Sequence, residues 1–145
     1  LEQYTIHAGK SIPNIWSIGG FSLSENTAYA CEPFVTTEQG GGFVRNGKIK
    51  NIFAINSRKK TKNDEADKLL NFIWENFNML PFALRWITKE WEEKEARELL
   101  DILIKKKAVQ AYPVLIEVNE QRVAQAEHTF IPNESGVTVT TKALE

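Results

Sequence analysis

Residues 122–131 read RVAQAEHTFI and residues 28–34 read AYACEPF. The first run has the β-branched and aromatic residues of a pleated strand, the second small and aromatic ones, and each carries a glutamate inside it. Two-residue alternation places Glu32 on one face with Ala28, Ala30 and Phe34. It places Glu127 on one face with Val123, Gln125, Thr129 and Ile131. A carboxylate within a sheet costs free energy unless donors or a cation meet it. Hard and borderline divalent cations take oxygen ligands, so two such glutamates are candidate metal ligands. Taken singly, each also fits the wet face of a half-exposed sheet, which is the commoner arrangement. His128, next to Glu127, points to the opposite face of a regular strand and reads as structural or as support for its neighbour.

Working outward, residues 1–57 read as β with tight loops. Strands are expected within NTAYACEPFVTT (26–37) and IKNIFAINS (49–57). The glycine run at 40–42 breaks the chain, and Asn46-Gly47 gives a hairpin signal. Residues 58–110 change character. RKKTKNDEADKLLNFIWENFN (58–78) carries Ala66, Leu69, Leu70, Ile73, Trp74 and Phe77 at helical spacing, with Asn63 or Thr61 as cap. Pro81 interrupts the chain. TKEWEEKEARELLDILIKKK (88–107) is a second helix, striped by Ala96, Leu99, Leu100, Leu103 and Ile104. Acid leads it and lysines close it, in keeping with the macrodipole. Glu93 with Arg97 and Asp101 with Lys105 stand at i,i+4 spacing. Residues 111–145 return to β with YPVLIEV, RVAQAEHTFI and VTVTT. The order is β, a helical insert, then β, an α+β class.

Composition narrows the function classes. The chain has 145 residues, 42% hydrophobic and 26% charged, which suits one globular domain with an inserted subdomain. The single cysteine, Cys31, excludes an internal disulfide and a thiolate zinc cluster. A net charge of −1 gives no global basic field for nucleic acid. No apolar run is long enough to span a bilayer and no signal-peptide pattern opens the chain. The expectation is a soluble, cytoplasmic protein with no membrane partner. Leu1 rather than methionine at the start suggests processing or excision from something larger.

YTIHAGKSIP (4–13), YACEPFVTT (29–37), LPFALRW (80–86), AYPVLIEV (111–118) and AQAEHTF (124–130) follow one another in order. Together they resemble the C-terminal part of type 2 methionine aminopeptidases of the archaeal kind. The resemblance covers essentially the whole chain but only part of a complete enzyme. It implies the C-terminal part of a pita-bread (creatinase/aminopeptidase-like) fold. Residues 1–57 and 111–145 would form the β portion, with 58–110 an inserted, winged-helix-like subdomain. It also implies a site for two divalent metal ions (Co, Mn, Fe or Zn) held by two Asp, one His and two Glu. By the resemblance, Glu32 and Glu127 are the two glutamates, with Glu127 bridging the metals. His7 is the active-site histidine facing the scissile peptide, while Ile6 and Tyr112 line the pocket for the methionine side chain. The implied reaction removes N-terminal methionine from peptides and nascent proteins by a metal-activated water.

Three of the five ligands have no counterpart here. The metal-binding histidine would fall just before Leu1, and Asp64, Asp67 and Asp101 all lie in the insert. The resemblance therefore implies a fragment, inactive alone, whose partner is the missing N-terminal half. The alternative is a non-catalytic binding module of the same fold for RNA, the ribosome or a protein. RKKTK (58–62) would then be the contact surface, although such a run is more simply a solvated loop tip.

Overall fold

The computed structural model describes Leu1, Gly9, Ser11, Trp16 and residues 18–142. Within them the chain divides into two compact units, Leu1–Val44 with Glu117–Glu145, and Arg45–Ile116. The second unit takes in more chain at both ends than the insert expected at 58–110.

The second unit holds the apolar core. Its sheet is built from β3 (Val44–Ile55), β4 (Phe82–Ala83) and β5 (Val109–Glu117) in the order β4-β3-β5. Helix α1 (Asp64–Phe77) starts at Asn63, whose side-chain oxygen accepts from the Ala66 amide at 2.9 Å; of the two expected caps, Asn63 is the one used. Asp64, Glu65 and Asp67 fill its first turn, where the positive end of the helix dipole favours them. Helix α2 is one turn, Leu84–Ile87, and α3 runs Glu93–Lys105. The stripes of α1 and α3 meet, burying Leu69, Ile73, Leu100 and Leu103 with Phe82 and Ile87. Phe77 stacks on Phe82 at 5.5 Å between ring centroids. The Glu93–Arg97 pair forms at 2.8 Å; the Asp101–Lys105 pair is not among the ion pairs of the described residues.

The expected hairpin at Asn46-Gly47 does not form. β3 runs unbroken through both residues, and neither has the positive φ that the tight hairpin turn demands. Gly47 has another reason to be glycine. A β-carbon there would stand 2.8 Å from the Val114 carbonyl oxygen and 2.9 Å from Ile116 Cδ1, so its bareness lets β3 and β5 approach.

The first unit contains β1 (Tyr29–Cys31), β2 (Phe34–Thr36), β6 (Val123–Gln125), β7 (His128–Asn133) and β8 (Gly136–Val139). They form two sheets, β1-β7-β8 and β2-β6, all antiparallel. Among its described residues no apolar side chain is buried; Phe34, Val35, Val123, Val137 and Val139 are exposed.

Candidate metal centre

The two glutamate-bearing strands expected from the sequence are both interrupted at the glutamate. Glu32 and Pro33 separate β1 from β2, and Ala126 and Glu127 separate β6 from β7. Pro33 is the physical reason, since it has no amide to give a ladder. Its carbonyl still accepts from the Ala126 amide at 3.3 Å.

The two ladders on either side of this interruption keep one register. Tyr29 pairs with Phe130, Ala30 with Thr129 and Cys31 with His128; beyond the gap, Phe34 pairs with Gln125, Val35 with Ala124 and Thr36 with Val123. Continued across the gap, this register sets Glu32 opposite Glu127. The two faces read separately from the sequence are thus one face, on which Ala30 stands opposite Thr129 and Phe34 opposite Gln125. Two carboxylates directly opposite one another are mutually destabilising until a cation joins them. Both are exposed, and both offer the oxygen donors that a divalent cation takes. Among the described residues no group of three or more His, Cys, Asp or Glu gathers at one point. The donor set that the register brings together is two carboxylates, a pair of oxygen donors of the kind divalent cations take.

His128 falls opposite Cys31, on the other parity from the glutamates, as the alternation requires. Its Nδ1 lies 3.1 Å from Thr141 Oγ1, and the same hydroxyl accepts from the Thr129 amide at 2.9 Å. This ties the start of β7, next to Glu127, to residues past β8. Tyr29 stacks on Phe130 at 5.8 Å, and its hydroxyl accepts from the Ser24 amide at 3.0 Å, steadying the Glu32 side of the ladder.

Tyr112 lies on β5 in the second unit, its hydroxyl accepting from the Gln110 side-chain amide. His7 and Ile6 lie outside the described residues. The basic run 58–62 is partly structural. Arg58 sits over the Trp74 ring at 4.7 Å, and Thr61 is buried, donating to Asp67 Oδ1 at 2.8 Å.

One residue carries a signal that the sequence reading passes over. Glu117 closes the apolar run YPVLIEV and is only 3% exposed. Its carboxylate accepts from the amides of Gly41, Asn119 (2.7 Å) and Gln121 (3.1 Å). Burial raises the pKa of this carboxyl, but the amides of Gln121, Gly41, Asn119 and Gly42 outweigh it and hold the group below its ordinary 4.5. The signal that singles out Glu32 and Glu127, an acid in a strand, is equally present here.

No family model matches the chain. Individual relatives do. It is 38% identical to a methionine aminopeptidase of Saccharolobus solfataricus over 99% of its own length and 48% of the relative's. It is 37% identical to that of Methanocaldococcus jannaschii over 98% of the chain and 47% of the relative. It is 37% identical to that of Thermococcus kodakarensis over 97% and 48%. Among solved structures, a thermophilic Arx1 superposes with a TM-score of 0.65 at 18% identity, over 77% of this chain and 29% of that one. The last is a likeness of fold alone. The mixed helix-and-strand fold is thus of a kind already seen, and the sequence is that of a relative of archaeal methionine aminopeptidases. The chain spans about half the length of the curated relatives it matches.

Proposed function

We propose that this chain is the C-terminal portion of a metal-dependent methionine aminopeptidase with the pita-bread fold. It would supply two of five ligands, Glu32 and Glu127, to a dinuclear centre. The observation that carries this is the single register that sets these two glutamates opposite each other, in a chain matched over almost all its length by archaeal methionine aminopeptidases. The residues 58–110 would be a winged-helix-like insert on that fold.

Bound divalent metals of the Co, Mn, Fe or Zn kind would acidify water and polarise the scissile carbonyl. The chain's own residues have four tasks. Glu127 would be the glutamate shared by the metals and Glu32 would complete the pair that holds them. His7 donates a hydrogen bond to the oxygen on which charge develops. Ile6 and Tyr112 line the pocket that selects the methionine side chain, the tyrosine giving an apolar ring with a polar tip. The substrate is the N-terminal methionine of peptides and nascent proteins in the cytoplasm.

With two ligands of five, the chain alone is expected to release no methionine from a Met-Ala-Ser peptide. Mixed with a separately produced polypeptide equivalent to the other half of the archaeal relatives, and with Mn²⁺ or Co²⁺, it is expected to release it. Glu127→Ala should abolish that restored activity. Full turnover by the unmixed chain, or restored activity indifferent to Glu127→Ala, would refute the assignment of ligands.

A further inference from the structure

Glu117 is the one described residue of the first unit that is buried, and it is a carboxylate. It stands where two segments of chain meet. One is the loop from Thr37 to Phe43 that leaves β2; the other is the turn from Val118 to Arg122 that enters β6. Oε1 takes the Gly41 amide and Oε2 takes those of Asn119 and Gln121, so one side chain fastens both segments. Around it, the Asn119 side-chain amide donates to the Gln39 carbonyl at 3.1 Å and the Val118 amide to the Phe43 carbonyl at 3.0 Å. Gly41 is bare because a β-carbon there would meet Val118 Cγ1 at 2.3 Å and Glu117 Oε1 at 3.4 Å.

The fastening runs directly into the β2-β6 ladder. Thr36 donates its hydroxyl to the Arg122 carbonyl at 3.0 Å, and Thr37 its hydroxyl to Gln121 Oε1 at 3.3 Å. The next rungs are Thr36 with Val123, Val35 with Ala124 and Phe34 with Gln125. Then come Pro33 and the gap. A slip of one residue in an antiparallel register turns every side chain to the other face. A three-rung ladder without a buried apolar face does little to prevent such a slip by itself.

We propose that Glu117 is a positioning residue for the Glu32–Glu127 pair: by fixing the start of the β2-β6 ladder it fixes the register that sets the two carboxylates opposite one another. This rests on the metal-centre reading above. Replacing the carboxylate by an amide leaves one acceptor oxygen where there were two, so part of the set of backbone amides loses its partner and the register is freed.

Mn²⁺ is the probe, added to the ¹⁵N-labelled chain, with paramagnetic broadening of amide signals as the readout. In the unaltered chain, broadening is expected to centre on Ala30 and Thr129, the rungs beside the pair. In Glu117→Gln, about ten times more Mn²⁺ should be needed for the same broadening, and the broadening should no longer centre there. The spectrum of α1 and α3 should stay unchanged. Glu117→Asp, which keeps the charge, should recover part of the affinity. Should Glu117→Gln fail to fold, Gly41→Ala, whose β-carbon would crowd Val118 Cγ1 at 2.3 Å beside the carboxylate, is measured instead with the same expectation. If Glu127→Gln removes the broadening while Glu117→Gln leaves its midpoint and pattern unchanged, the positioning role is overturned and the metal centre stands. If Glu127→Gln itself changes nothing, the metal-centre reading is what has failed.

Discussion

At Gly47 a single methyl group decides whether two strands can pair. A β-carbon there would stand 2.8 Å from the Val114 carbonyl oxygen, a backbone atom that cannot rotate away. Gly47→Ala is therefore expected to destabilise the chain by about 1–3 kcal/mol, as overpacking does, measurable by urea unfolding; stability equal to the parent would mean that β3 and β5 are further apart. Glu117 gives a second prediction, in pH. Its folded pKa is below its ordinary 4.5, so its contribution to stability is fully present above about pH 4.5. That contribution is lost as pH falls through the lower folded value. Glu117→Gln should remove this part of the acid dependence, and an acid unfolding curve of unaltered shape would contradict it. At this scale the sequence shows carboxylates inside strand-forming runs at Glu32 and Glu127, and only the register shows that they stand opposite each other. It misleads where glycine has two uses: Asn46-Gly47 has the letters of a turn, and only the cross-strand neighbour Val114 shows that closeness is what the glycine serves.

Among the elements, the helices are legible because their signals are local. The 3.6-residue stripes of α1 and α3 are long, and Asn63 with Asp64, Glu65 and Asp67 marks a helix start in chemical terms. Asn63→Ala is expected to cost about 1 kcal/mol by removing the side-chain bond to the Ala66 amide, visible as a lowered thermal midpoint of the helical circular dichroism signal. Leaving that midpoint in place would mean the cap is replaced by the Thr61–Asp67 network beside it. The strands are legible in number but not in extent. AYACEPFVTT and RVAQAEHTFI each read as one strand and each is two, because Pro33 breaks the first and, through the shared register, the second breaks opposite it. That partnership is a long-range fact. No alternation within either segment reveals that residues nearly a hundred positions apart in sequence break together.

Across the whole molecule, the two units differ in what holds them. The second has a cluster of buried leucine, isoleucine and phenylalanine side chains, burial of which supplies about 1.5–3 kcal/mol each. The first, among its described residues, has ladder hydrogen bonds, the Tyr29–Phe130 stack and the amide cradle of Glu117, with Phe34, Val35, Val123, Val137 and Val139 left exposed. Small sheets without an apolar layer open readily, because hydrogen bonds exchanged with water contribute little net free energy. Amide exchange should therefore separate the units: slow at Leu69, Ile73, Leu100 and Leu103, fast at Val35, Ala124 and Thr129. The curated relatives are about twice as long as this chain, and Val35 and Val123 are exposed apolar side chains that the added half of such a relative could cover. Under the proposed function, mixing in that half should slow exchange at Val35, Ala124 and Thr129 by at least tenfold while leaving Leu69 and Leu103 as they were. Uniform slowing of all these amides, or none, would show that the exposed faces of the β1–β7 and β2–β6 ladders are not where the added half packs. The carboxylate pair would then have to complete its ligand shell in some other way.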